Sequence, residues 1–188
     1  MKRLLLSLLL AFAFFALPAD ARRVAGVDVP ETLERGGTPL MLNGAGIRTS
    51  LFLDVYVGGL YLKRRSADAT AIIDADEPMA IGLWIVTGLI TSDRMQKSIE
   101  EGFQKSTRGN TAPIRAQIDA LIDVYAEEID DGDVFDLVYL PGKGLSAYKN
   151  GVYTATIECG LSFKRALFGI WLSDRPVQSS LKRGMLGR

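Results

Sequence analysis

The 188 residues balance 22 basic against 22 acidic side chains, contain no histidine and hold a single cysteine, Cys159. The missing histidine removes the commonest general base near neutral pH, the commonest transition-metal ligand and every hydrolase triad that relies on an imidazole. Charge neutrality leaves no electrostatic footprint for nucleic acid or anionic membranes, and one thiol with carboxylates is a poor zinc set, so neither metal nor cofactor is expected.

The chain opens as an export leader. Met1-Lys2-Arg3 supplies positive charge, Leu4 to Leu17 a short apolar run, and Ala19-Asp20-Ala21 a small-residue cleavage site. That run of about 14 residues is shorter than the roughly 20 needed to span a bilayer. No cysteine follows it to take a lipid. Residues 1–21 are therefore expected to be removed, leaving one domain over 22–188, periplasmic or secreted, with no stable membrane insertion. About 167 residues are enough to bury a proper core.

Residues 22–36 read as a lead-in followed by a first strand, VAGVDVPETL, and Gly36-Gly37 separate it from PLMLNGAGIR. Leu51 to Leu62 follows as a strand buried on both faces. Strict alternation puts Asp54 and Tyr56 on one face and Tyr61 on the other, unless Gly58-Gly59 bulges. Ser66 is placed to cap a short helix, ADATAIIDA, and Met79 to Thr87 forms another buried strand. Ser92 and Asp93 offer caps for a helix carrying Met95, Ile99 and Phe103. Pro113 suits the first turn of a second helix, whose apolar stripe runs Ile114, Ile118, Leu121, Ile122, Tyr125, Ile129. An acidic turn, 130–133, leads into VFDLVYLP, and Asn150-Gly151 marks a tight hairpin between two strand-like runs. Cys159 ends the run TATIEC and reads as a small buried hydrophobe. The chain closes with helical FKRALFGIWL, a Ser-Asp-Arg-Pro break and a last helix from about Val177. This order indicates one α+β domain, with a mainly antiparallel sheet and helices gathered on one side.

The stretch LNGAGIRTSLFLDVYVGGLYL, residues 42–62, sets Arg48 among apolar residues and glycines. A buried guanidinium left unpaired is expensive, so it needs a counter-charge or several acceptors. Asp54, backbone carbonyls or an anionic ligand could each meet that need. Thr87, Thr91, Ser92 and Asp93 sit where a strand hands over to a helix and read first as turn and cap residues. Gly44 and Gly46 lack the lysine and hydroxyl of a phosphate loop. Phe163, Leu167, Ile170 and Trp171 form a helix face suited to roofing a cavity.

NGAGIR, VYVGGLYL and FKRALFGIWLSDRP resemble the chalcone-isomerase-like superfamily over nearly the whole chain after its first two dozen residues. That superfamily includes plant chalcone isomerases, fatty-acid-binding relatives and bacterial secreted proteins, and the bacterial branch is the most similar. The resemblance implies an open-faced β-sandwich of chalcone isomerase type, one sheet with a helical layer. It implies that Arg48 pairs with a ligand carboxylate and that Tyr56 adds a phenolic donor. Asp54, Thr87, Met95, Ser98 and Ile170 are the further cleft candidates. Chalcone cyclisation in the plant enzymes uses an arginine, a threonine, a tyrosine and a lysine. Here the threonine position holds Tyr56, the tyrosine position Met95, and the lysine falls near Ser98 with Lys97 adjacent. These departures argue for a non-catalytic protein binding a fatty acid or similar small amphipathic anion. The alternative is an isomerase or intramolecular lyase acting on a phenolic or enone-like substrate. It requires a tyrosine or lysine in the Arg48 cavity, with Tyr61, Tyr125, Tyr139 or Lys97 as candidates. A scaffold with a filled core and an exposed apolar patch is the third reading.

Overall fold

Tight turns set the register of the N-terminal half. The computed structural model describes residues 21–188, so the leader expected over 1–21 lies outside the described residues except for Ala21. Strands β1 (Ala21–Val24) and β2 (Val27–Pro30) form an antiparallel hairpin instead of one strand. Ala25 at φ 48° and Gly26 at φ 86° turn the chain between them. Strands β3 (Thr32–Arg35) and β4 (Thr38–Ser50) flank Gly36-Gly37. After a turn at Leu51-Phe52 come β5 (Leu53–Leu62), α1 (Ala69–Asp74), β6 (Met79–Ile85) and α2 (Ser92–Ser106). A 3-10 turn, Ala112–Ile114, leads into α3 (Arg115–Asp123). Strands β7 (Val134–Leu140), β8 (Gly144–Lys149) and β9 (Val152–Ile157) follow, then α4 (Leu161–Leu172) and α5 (Ser179–Met185).

β3 to β9 make one seven-stranded antiparallel sheet in which every strand pairs with its neighbour in sequence. Asn150 and Gly151, at φ 53° and 77°, make the expected hairpin between β8 and β9. The sheet's two faces bury different cores. On the inner face Leu60, Ile81 and Leu137 pack against Phe103, Phe163 and Leu167 from the helices. On the outer face Val57, Tyr61, Ala80 and Val138 join Val29 of β2, so the first hairpin covers part of that side. The architecture is the expected α+β arrangement with its helical layer on one side, and among the described residues each face of the sheet buries its own core. Gly59 and Gly82 face each other in register beneath the Trp84 ring, so the glycine pair serves close approach, not a bulge.

Helix boundaries differ from expectation where several polar residues compete for a cap. Asp68, not Ser66, caps α1 by accepting from the Ala71 amide at 3.0 Å, and Thr91, not Ser92, caps α2 by accepting from Arg94 at 3.3 Å. α3 stops at Asp123, which leaves Tyr125 and Ile129 in the segment beyond it. Lys164 of α4 is fully buried, and its ammonium donates to the carbonyls of Ile72, Ile73 and Ala75 at 2.7, 2.8 and 2.6 Å. It thereby satisfies the C-terminal end of α1, while burial lowers its pKa to about 8.

α5 lies against β4 because glycines let the two backbones touch. A Cβ on Gly44 would stand 2.6 Å from the Gly187 nitrogen. The ladder slips beside it, and the extra residue, Asn43, turns its amide to the Ser66 and Met185 carbonyls at 2.9 and 2.8 Å.

Candidate functional site

The β4–β5 ladder sets Arg48 directly opposite Tyr56, and cross-strand partners project from the same face of a sheet. The next pair is Thr49 with Asp54, so Val55 is an extra residue in β5. This bulge rephases the strand. Leu53, Val55 and Tyr56 consequently all line one cavity, whereas Asp54 is exposed and stands outside it. The expected sharing of one face by Asp54 and Tyr56 is thus corrected, along with Asp54's place in the cleft. Tyr61, beyond the bulge, remains on the opposite face from Tyr56, and its hydroxyl donates to the Pro30 carbonyl at 2.8 Å.

The cavity measures about 250 Å³ and lies between the sheet's inner face and the helical layer. Leu83 and Leu137 of the sheet, Met95 of α2 and Leu167 and Ile170 of α4 give it apolar walls. Ile170 reaches its place because α2 has a glycine opposite it: a Cβ on Gly102 would lie 2.9 Å from Ile170 Cγ2. Thr87 and Ser98 also line the cavity, but each has local work. Thr87 Oγ1 accepts from the Leu89 amide at 3.3 Å, and Ser98 Oγ donates to the Arg94 carbonyl at 2.8 Å.

Arg48 is half-buried and no carboxylate pairs with it among the described residues. Its guanidinium donates to the Thr49 carbonyl and, at 2.9 Å, to Gln178 Oε1. The same oxygen accepts from the Thr49 amide at 2.9 Å, and the Gln178 amide donates to the Ile47 carbonyl at 3.2 Å. Neutral acceptors therefore orient the cation while leaving its charge uncompensated. Tyr56 is buried, and its hydroxyl oxygen accepts from Trp171 Nε1 at 3.0 Å. An indole can only donate, so the phenol proton must find another acceptor, and none is bonded to it among the described residues. Burial pushes the Tyr56 pKa up to about 12, against the opposing Trp171 bond and the Arg48 charge. Tyr56 is thus a neutral donor at any physiological pH.

Sequence reasoning missed the roles of Gln178 and Trp171. Both stand more than 110 residues from the groups they hold, and nothing local in QSS or in GIWL signals the partnership. Tyr125, beyond the end of α3, also lines the cavity, and burial raises its phenol in the same direction. The other candidates lie elsewhere. Tyr139 donates to Asp76 at 2.7 Å, and Lys97 is exposed and outside the lining.

The sequence profile described as chalcone isomerase-like matches residues 21–187. The chain belongs to the chalcone isomerase-like family. A crystal structure of an Arabidopsis thaliana fatty-acid binding protein shares the fold, with a TM-score of 0.66 at 20% identity over 86% of this chain and 92% of that one. No curated protein sequence matches this chain. In this chalcone isomerase-like protein, the resemblance sets Met95 at the position of a catalytic tyrosine and places that of the lysine near Ser98, with the exposed Lys97 adjacent. Met95 and Ser98 border the cavity, and neither of these two side chains exchanges a proton near neutral pH. Cys159 lies beyond β9, half-buried, with its thiol pushed up to about 11 by burial, which makes it a poor nucleophile. Among the described residues there is no group of three or more metal-binding side chains, and no helix is long and apolar enough to cross a membrane.

Proposed function

We propose that this protein is an exported, non-catalytic member of its family that holds a fatty acid or similar small amphipathic anion between sheet and helices. One observation carries the reading: Arg48, without a carboxylate partner, faces Tyr56 across β4–β5 at one apolar cavity. A carboxylate there completes both groups, accepting from the guanidinium fork and from the phenol proton that Trp171 leaves free. The Tyr125 phenol supplies a further donor at the same cavity, and Met95, Leu167 and Ile170 surround the tail. Fatty-acid binding by the Arabidopsis neighbour of like fold supports the same ligand class. The volume lies just below the about 300–1,000 Å³ usual for small-molecule pockets, which favours a small amphiphile. Export, to the periplasm or beyond, rests on the leader pattern of residues 1–21.

Titration with a medium-chain fatty acid, followed by calorimetry, tests this. Arg48→Leu should weaken binding by about 10- to 150-fold, the worth of a charge-assisted hydrogen bond, while the thermal melt stays close to the parent's. Equal affinity in parent and variant, or no affinity in the parent, refutes the reading.

An isomerase or intramolecular lyase is the second reading, and Tyr125 favours it as a phenol at the Arg48 cavity. Burial holds both Tyr125 and Tyr56 protonated, so they suit proton donation and not abstraction. Turnover of a phenolic enone that Tyr125→Phe abolishes would establish this reading over the first.

A further inference from the structure

The turn between β4 and β5 is built from residues that neither its backbone nor its solvent exposure favours. Leu51 and Phe52 occupy the left-handed region, at φ 49° and 68°, where glycine and asparagine are the ordinary choices. Phe52 is fully exposed, Leu51 is 88% exposed, and Leu53 beside them is 50% exposed. Leu89, 54% exposed, belongs to the loop after β6. Three of these four, Leu51, Leu53 and Leu89, also line the cavity. The apolar tip is therefore continuous with the cavity's mouth.

The same lining also carries exposed charge. Arg94, Ser98, Glu101 and Lys105 recur along α2 at helical spacing, all exposed and all lining the cavity. Arg94 also donates to the Leu89 carbonyl at 2.7 Å, which sets this cation beside an exposed apolar residue of the lining. With Arg48, the lining has three cations against one carboxylate, a local excess on a chain of zero net charge.

We infer that the Leu51-Phe52-Leu53 tip and Leu89 form a docking surface for an anionic phospholipid bilayer, through which the cavity exchanges its amphiphile directly with the membrane. Apolar side chains presented at the interface with basic residues beside them are what a lipid surface recognises. A mouth whose own walls continue into the docking tip lets a tail pass without crossing water. This inference rests on the proposed cavity ligand, and the test separates the two.

The mature chain expected after leader cleavage, residues 22–188, is mixed with vesicles of phosphatidylcholine containing roughly one-third phosphatidylglycerol. Co-sedimentation measures docking, and the transfer rate of a fluorescent fatty acid from vesicle to protein measures exchange. The wild type should sediment with the vesicles and show a transfer rate that rises with vesicle concentration. Phe52→Gly suits the φ of the turn and lies outside the cavity lining. It should reduce vesicle association about tenfold, the effect of removing one phenyl group from the interface, and flatten that concentration dependence. Its affinity for free fatty acid in vesicle-free buffer and its melting temperature should not fall. Arg48→Leu should lose the fatty acid yet retain Phe52-dependent docking. Phe52-dependent docking in a wild type that binds no free fatty acid would uphold the surface and defeat the cavity reading. A wild type that ignores vesicles, or vesicle association indifferent to Phe52→Gly, overturns the inference. So does a dimer in sedimentation velocity that Phe52→Gly dissolves, because the tip then belongs to a second copy of the chain.

Discussion

Tyr56→Phe removes a single oxygen, yet it strands the Trp171 indole N–H, whose one hydrogen bond among the described residues is the 3.0 Å contact to that oxygen. Tyr56 and Trp171 are 8% and 6% exposed, so water cannot fully replace the lost partner. An unpartnered buried donor costs about 1–3 kcal/mol. Since each kcal/mol moves Tm by about 2–4 °C in a domain of this size, a fall of about 2–12 °C is expected. Trp171→Phe loses the donor together with part of the indole's packing, about 1–3 kcal/mol more. In the double variant both partners are gone, so the two losses should fall short of additivity by about 1 kcal/mol. Urea denaturation followed by far-ultraviolet circular dichroism of the four proteins gives this coupling directly. Additivity within about 0.3 kcal/mol would mean that the contact carries no energy, and the argument that Trp171 aims the phenol proton would fail with it. The same proteins titrated with fatty acid should show Tyr56→Phe weakened by tenfold or more.

Gly44→Ala should destabilise the fold by about 2 kcal/mol or more, because its Cβ would meet backbone atoms of Gly184, Met185 and Gly187 that no rotamer change can move. A midpoint in urea equal to the parent's would show that α5 yields freely. The buried phenols predict alkaline sensitivity. Tyr56 has its folded pKa raised from the ordinary 10.0 to about 12, so its contribution is complete below pH 10 and is lost as pH rises through 12. Stability in urea should accordingly fall between about pH 10 and pH 12, in step with phenolate absorbance, and a flat profile would contradict the assigned burial.

The parts of the fold that were legible in the sequence are those that local chemistry decides. Asn150-Gly151 announced a hairpin because a turn with two positive φ values admits few other residue pairs. Helix boundaries were less certain, since Ser66 and Asp68, or Thr91 and Ser92, differ little in capping strength, and packing made the choice. The Val55 bulge had no local mark. Its position depends on how β4 and β5 align, and that alignment decides which side Asp54 takes. Arg48 and Tyr56 stood out as polar groups in apolar surroundings, so both ends of the candidate site could be named. Gln178 and Trp171 could not be, because their partnership exists only once the chain has folded back over more than a hundred residues.

Because each strand of the sheet follows its neighbour, the sheet can assemble in the order in which the chain emerges. The groups that orient Tyr56 and Arg48, by contrast, belong to the last two helical segments, at Trp171 and Gln178. A chain interrupted between β9 and α4, after Ile157 and before Leu161, thus carries all seven strands with Arg48 and Tyr56, but has neither the α4 roof nor the braces at Trp171 and Gln178. On the proposed reading, the site forms only when α4 and Gln178 have folded back over the sheet, so ligand affinity should appear after the sheet itself has assembled.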